Sequence, residues 1–205
     1  MQRSANRQDV SRGAERRKDA RHTLILRAGV LDQAGRSFFC LVKNISVSGL
    51  ELKFYTRPTL GAAASVRVGD EPPVAGTVAW ITDDRAGVSF DHELDLPTLL
   101  RVRQKLKPNR RRAVPRINVS ASASVRTGGR TCRAMVCDIS SVGARIRTES
   151  ALTVGDRAVV EFSNLPSITA YVRWNDGDES GLVFETPIPM QIIAQWIEGR
   201  PLVVG

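Results

Sequence analysis

The chain has 205 residues, 42% of them apolar and 25% charged, a balance that excludes a wholly disordered protein and allows one large domain or two small ones. Its formal charge is +9, from 30 Lys plus Arg against 21 Asp plus Glu, and 25 of those cations are arginine. Only two histidines (His22, His92) and three cysteines without CxxC spacing (Cys40, Cys132, Cys137) are present, a supply from which a His/Cys metal centre or a pair of histidine-dependent active sites would be hard to assemble.

The arginine bias carries information, because lysine keeps a surface equally soluble. A planar guanidinium is preferred where phosphate must be gripped or a ring stacked upon. The first residues, Met1-Gln2-Arg3-Ser4-Ala5-Asn6-Arg7, have no apolar run behind them and do not read as a secretory signal. No apolar stretch approaches the ~18–20 residues of a membrane span. These features, with thiols expected to be reduced, lead us to expect a cytoplasmic protein.

In chain order, residues 1–14 read as a basic mobile N-terminal arm. Residues 15–106 follow as a first domain, with β-rich runs at Thr23–Asp32, Phe38–Phe54, Val74–Ile81 and Ala86–Phe90. Its end, Leu96, Leu99, Leu100, Arg103 and Leu106 around Pro97, keeps helical spacing. Residues 107–111 form a basic linker inside a segment, Arg101 to Arg116, that holds eight cations and no acid. The second domain, 112–205, has β-rich runs at Ala123–Thr127, Cys132–Arg147, Arg157–Phe162, Ile168–Trp174 and Gly181–Phe184. It also ends in helical spacing, at Met190, Ile193, Trp196 and Ile197 after Pro189. Each helical stripe is expected to pack on its own domain.

The two halves are copies of one another. Asn44-Ile45-Ser46-Val47-Ser48-Gly49 returns 94 residues later as Asp138-Ile139-Ser140-Ser141-Val142-Gly143. At the same offset Trp80 maps to Trp174, Gly87 to Gly181 and Phe90 to Phe184. Arg17 and Arg21 map to Arg112 and Arg116 at an offset of 95. The one-residue slip is expected in a hairpin loop, longer around Asp32–Arg36 than around Thr127–Arg130. About three arginine pairs at i and i+4 are expected by chance at this composition, so one pair alone means little. A pair followed 23 or 22 residues later by (Asp/Asn)-x-Ser-x-x-Gly, twice and in register, is far more specific.

This pattern resembles two tandem PilZ domains, whose signature is RxxxR and then (D/N)xSxxG. Arg17–Arg21 with Asn44, Ser46 and Gly49 is one match, and Arg112–Arg116 with Asp138, Ser140 and Gly143 the other. Val78-Ala79-Trp80 with Gly87–Phe90, and Val172-Arg173-Trp174 with Gly181–Phe184, resemble the family's closing strands. The resemblance implies an all-β fold of two six-stranded barrels, each with a C-terminal helix. It also implies a bacterial receptor for cyclic di-GMP that signals to a downstream protein partner, with no cofactor and no metal. In the family an arginine before the pair, here Arg16 or Arg111, goes with binding a stacked pair of messengers.

The residue chemistry agrees. Arginine forks onto phosphate, pairs with guanine O6 and N7, and stacks on purine faces. Asp138 and Ser140, two apart on a strand, share a face, and Asp138 accepts hydrogen bonds from guanine N–H groups. Gly143 is expected to serve a turn of positive φ or a close approach of ligand. A self-capped turn is the competing reading of Asp138-x-Ser140-x-x-Gly143. The copies differ: Asp138 and Arg145 stand where the first copy has Asn44 and Glu51, and Pro115 where it has Ala20. The second domain is therefore expected to bind more tightly, with Lys107–Arg111 as a ligand-ordered hinge.

Three other classes fit the sequence less well. A basic nucleic-acid binder is disfavoured, because Trp80, Phe90, Trp174 and Phe184 read as core and no stacking platform stands out. A PilZ-like interaction scaffold with weak or no ligand binding is countered by the intact motifs. An enzyme is set aside, since no nucleophile–base pair or carboxylate dyad is evident and Ser46 and Ser140 lack a nearby base.

Overall fold

A computed structural model describes residues 22–69, 71–95 and 114–199, and for residues 22–26 the backbone only. The first unit is built from β1 (His22–Gln33), β2 (Arg36–Ile45), β3 (Gly49–Phe54), β4 (Ala63–Val68), β5 (Val74–Thr82) and β6 (Arg85–Phe90). The second repeats it with β7 (Ile117–Thr127), β8 (Arg130–Ser140), β9 (Gly143–Thr148), β10 (Arg157–Phe162), β11 (Ile168–Asp176) and β12 (Glu179–Phe184), then α1 (Met190–Ile197).

Each unit closes into a barrel, in the order β1-β2-β3-β6-β5-β4 and, in the second copy, β7-β8-β9-β12-β11-β10. All pairings described are antiparallel. Closure leaves no free sheet edge, which removes the usual hazard of exposed backbone groups. The helix expected after the first barrel lies outside the described residues.

The long runs Phe38–Phe54 and Cys132–Arg147 each fold as two strands, split by the turns at Ser46–Ser48 and Ser141–Val142. Strand β4 escapes the sequence pattern, because its start, Ala63-Ala64-Ser65, has little β propensity. Barrel closure supplies what propensity lacks, as β4 pairs with both β1 and β5.

The one-residue slip between the copies is not in the hairpins. Both turns hold two residues, Ala34-Gly35 between paired Gln33 and Arg36, and Gly128-Gly129 between paired Thr127 and Arg130. All four turn residues have positive φ, the conformation a two-residue hairpin needs to follow strand twist. The extra residue lies instead in the bulge of β1 between Thr23 and Arg27, where the second copy has a shorter bulge between Asn118 and Ala121.

The first core gathers Leu31, Cys40, Val42, Leu52, Phe54, Val66, Val78 and Val88. The second gathers Val125, Val136, Ile139, Ile146, Val160, Phe162, Val172, Leu182 and Phe184, capped by Ile193 of α1. Trp196 meets Phe162 edge-on at 5.5 Å between centroids and donates its indole N–H to the Ser163 carbonyl. Val30 and Phe39, on the first barrel, are fully buried in the second barrel's cluster. Strands β1 and β2 therefore bury both faces at that point. Of the three thiols, Cys40 is in the core, whereas Cys132 and Cys137 are half-buried.

Candidate functional site

A bulge creates the site. In β8, Ala134 and Val136 point inward with the period of a strand. Two residues, Cys137 and Asp138, then meet one residue of β9, so the register shifts between Val136 and Asp138. The shift turns Ile139 into the core and Asp138 out onto the barrel's outer face. Without the extra residue Asp138 would point into an apolar core at prohibitive cost. Strand β2 bulges equivalently between Val42 and Asn44, turning Ile45 inward and Asn44 outward. The sequence holds this signal as apolar residues three apart, Val42/Ile45 and Val136/Ile139, where strict alternation would place them two apart.

On the outer face of the second barrel a row of paired residues runs Asp138, Arg145, Gly181, Trp174. The matching row on the first barrel is Asn44, Glu51, Gly87, Trp80. Asp138 is 8% exposed and held by two guanidinium groups. Arg116 Nη1 donates to its Oδ1 at 2.6 Å, and Arg145 Nε to its Oδ2 at 2.7 Å. Arg145 Nη1 also donates to Glu179 Oε2 at 2.9 Å, and Arg147 reaches Glu179 Oε1 at 3.0 Å. Hydrogen bonding to Asp138 first, and then to Glu179, raises the Arg145 pKa further. The same Arg145 bond holds Glu179 below the usual carboxylate range, helped by Arg147.

In the first barrel Asn44 Nδ2 donates to Glu51 Oε2 at 2.9 Å, and Arg85 Nη1 reaches Glu51 Oε1 at 3.3 Å. Asn44, Ser46, Ser48, Gly49, Glu51, Trp80, Gly87 and Ser89 are among the residues lining an open depression of about 160 Å³ there.

Several expectations change in the structure. Ser46 and Ser140 are buried, and their hydroxyls serve their own turns. Ser140 Oγ donates to the Gly143 carbonyl at 3.1 Å and accepts from Val142 N–H at 3.4 Å. Ser46 Oγ bonds the Gly49 carbonyl at 3.2 Å. Gly49 and Gly143 do not have positive φ. They are required by strand crowding: a Cβ at Gly143 would lie 2.2 Å from the Leu182 carbonyl oxygen, and one at Gly49 2.6 Å from that of Val88. Trp80 and Trp174, read as core from their strand positions, are 38% and 40% exposed, while Phe184 is buried and Phe90 half-buried.

Each exposed indole lies against a glycine, with its five-membered ring over the glycine Cα. A Cβ at Gly87 would be 2.0 Å from Trp80 Nε1, and one at Gly181 1.9 Å from Trp174 Nε1. Each barrel thus does present an aromatic platform beside its motif. The sequence signal was the repeated spacing of Trp and Gly, seven residues apart in both copies. Arg16, Arg17, Arg21, Arg111 and Arg112 lie outside the described residues, as does the expected hinge. Among the described residues there is no cluster of metal-ligating side chains, and no helix is long and apolar enough to cross a membrane.

Comparison with known proteins returns no match among curated sequences. Among solved structures the chain is similar to the Borreliella burgdorferi PlzA protein in complex with c-di-GMP, at 14% identity and a TM-score of 0.36, covering 88% of this chain and 93% of that one. It is also similar to the Bacillus subtilis inhibitor of motility MotI/DgrA, at 15% identity and TM-score 0.36, covering 86% and 97%. Escherichia coli YcgR in complex with c-di-GMP gives 15% identity and TM-score 0.27, covering 84% and 81%. A family model described as PilZ domain matches twice, over residues 15–107 and 109–199. With those two matches spanning nearly the whole chain, and each falling on one six-stranded barrel, this protein belongs to the PilZ domain family and carries two domains in tandem.

Proposed function

We propose that the chain is a cyclic di-GMP receptor that acts by binding and not by catalysis. The observation that carries this reading is the outer-face row Asp138–Arg145–Gly181–Trp174, with Arg116 closing on Asp138. It assembles the three chemistries a cyclic guanine dinucleotide needs. Asp138 accepts from guanine N–H groups, Arg116 and Arg145 fork onto phosphate or onto O6 and N7, and Trp174 offers a ring to stack upon. Arg111 and Arg112 would complete the grip from the preceding segment. Ser140 and Gly143 shape the turn that presents Asp138. In the first domain Arg16, Arg17, Arg21, Asn44, Ser46 and Gly49 stand at the corresponding sequence positions, with Glu51 in place of Arg145.

Ligand entry must loosen the Arg116–Asp138 contact, so binding reorganises the segment before the barrel. That change is what a protein partner would read. A scaffold that binds no messenger is the second reading. It is favoured by the fact that the hydroxyls of Ser46 and Ser140 are already satisfied in their own turns.

Calorimetric titration of the purified chain with cyclic di-GMP tests the proposal, with GTP and cyclic di-AMP as controls. Saturable binding that Arg116→Ala and Asp138→Ala each weaken at least about tenfold supports it, one charge-assisted bond being worth about that factor. Absence of binding, or equal binding of all three nucleotides, favours the scaffold or a general anion site.

A further inference from the structure

The row beside each motif carries a diagonal ion pair, and its polarity is reversed between the barrels. In the second barrel Arg145 on β9 pairs with Glu179 on β12. In the first barrel the same two positions, 94 residues earlier, hold Glu51 on β3 and Arg85 on β6. The neighbouring pair keeps its polarity, with Lys53–Asp84 in one copy and Arg147–Asp178 in the other. The inversion is therefore confined to the pair that flanks the motif. Because both members change together, the ion pair and the strand contact survive while the sign at the centre of the row is inverted.

Position matters more than the neutral sum. Glu51 and Arg145 stand between the Asx residue and the Gly–Trp platform, where a ligand held by both must lie. Arg85 and Glu179 sit one row further out, opposite Lys53 and Arg147. Between the Asx residue and the glycine, an anion lying along the row crosses the Arg145 guanidinium in the second barrel and the Glu51 carboxylate in the first.

We propose that the polarity of this one pair is the specificity determinant of each barrel. Arg145–Glu179 admits a phosphate-bearing ligand, and Glu51–Arg85 excludes phosphate while leaving the Trp80 face open to an uncharged base. The proposal rests on the nucleotide-receptor reading, and it makes the two sites non-equivalent by design of one pair. Facing a phosphate with the opposite charge changes affinity by roughly tenfold or more at surface dielectric.

The test uses the full chain and two pair swaps, E51R/R85E and R145E/E179R, each of which retains an ion pair. The indole N–H resonances of Trp80 and Trp174 report the barrels separately, and thermal melts check folding. Cyclic di-GMP and inorganic pyrophosphate are expected to move Trp174 and not Trp80 in the parent chain. E51R/R85E should bring Trp80 into response, and R145E/E179R should weaken the Trp174 response at least about tenfold. Guanosine, which has no phosphate, should be indifferent to both swaps. Equal titration of both barrels by pyrophosphate, no response of either, or swaps that leave each response in place would overturn the proposal. If cyclic di-GMP moves neither indole but pyrophosphate follows the swaps, the receptor reading fails and the polarity rule stands.

Discussion

Gly181→Ala tests the packing that exposes the Trp174 ring. The new Cβ would lie 1.9 Å from Trp174 Nε1, 2.3 Å from Cε2 and 2.6 Å from Cδ1, so the indole must leave the strand. A buried tryptophan covers roughly 150–250 Å². At 40% exposure, Trp174 has roughly 100–150 Å² covered, worth about 3 kcal/mol at ~25 cal/mol per Å². Part of that area is recovered wherever the ring settles, which leaves an expected loss of about 1–2 kcal/mol. For a chain of this size that is a fall of about 3–6 °C in melting temperature. The fluorescence of Trp174 should shift to the red, and a Trp80/Trp196 double substitution to phenylalanine would isolate its signal. If the Trp174 face stacks on a guanine, affinity for cyclic di-GMP falls as well. An unchanged melt together with an unshifted Trp174 emission would refute the reasoning, since the ring could then not be lying on the glycine.

Gly143→Ala should be costlier, about 2–4 kcal/mol by urea denaturation, because the added methyl meets the Leu182 carbonyl oxygen, a backbone atom that a side-chain rotation cannot relieve. Phe39→Ala should lose about 3–5 kcal/mol, and loss of under 1 kcal/mol would show that the contact between the barrels contributes little. Burial, with a smaller contribution from Asp32, pushes the Cys40 thiol up to about 12, so iodoacetamide at pH 8 should alkylate Cys132 and Cys137 and reach Cys40 only after unfolding. Folding favours the neutral Cys40 thiol, so this contribution to stability is fully present below the unfolded thiol pKa. It is lost as the pH rises towards about 12, as denaturation midpoints measured from pH 8 upward would show.

Much of the architecture was legible because a duplicated sequence checks itself. Two copies of Asx-x-Ser-x-x-Gly in register with Trp and Gly fixed the number of units and most strands. Charge was legible too. Residues 22–95 hold seven cations and nine acids, and residues 114–199 eight cations and nine acids. The whole excess of +9 therefore lies outside the two barrels, in the segments that carry the arginine pairs. Strand β4 was not legible, because Ala63-Ala64-Ser65 expresses no preference until β1 and β5 flank it.

Linear order alone determined the family, the duplication and which residue types bear the chemistry, since these depend only on identity and spacing. Which way each side chain faces was decided by the closed sheet. A single bulged residue reverses the alternation of a strand, so Asp138 and Ile139 exchange faces with no change in composition. The same geometry moved Trp80 and Trp174 from the expected core onto the surface. It also made Gly143 and Gly181 necessary for close approach, by β12 in one case and by an indole in the other, with no demand on φ. Contacts between strands far apart in sequence produced these outcomes, and only the fold brings those strands together.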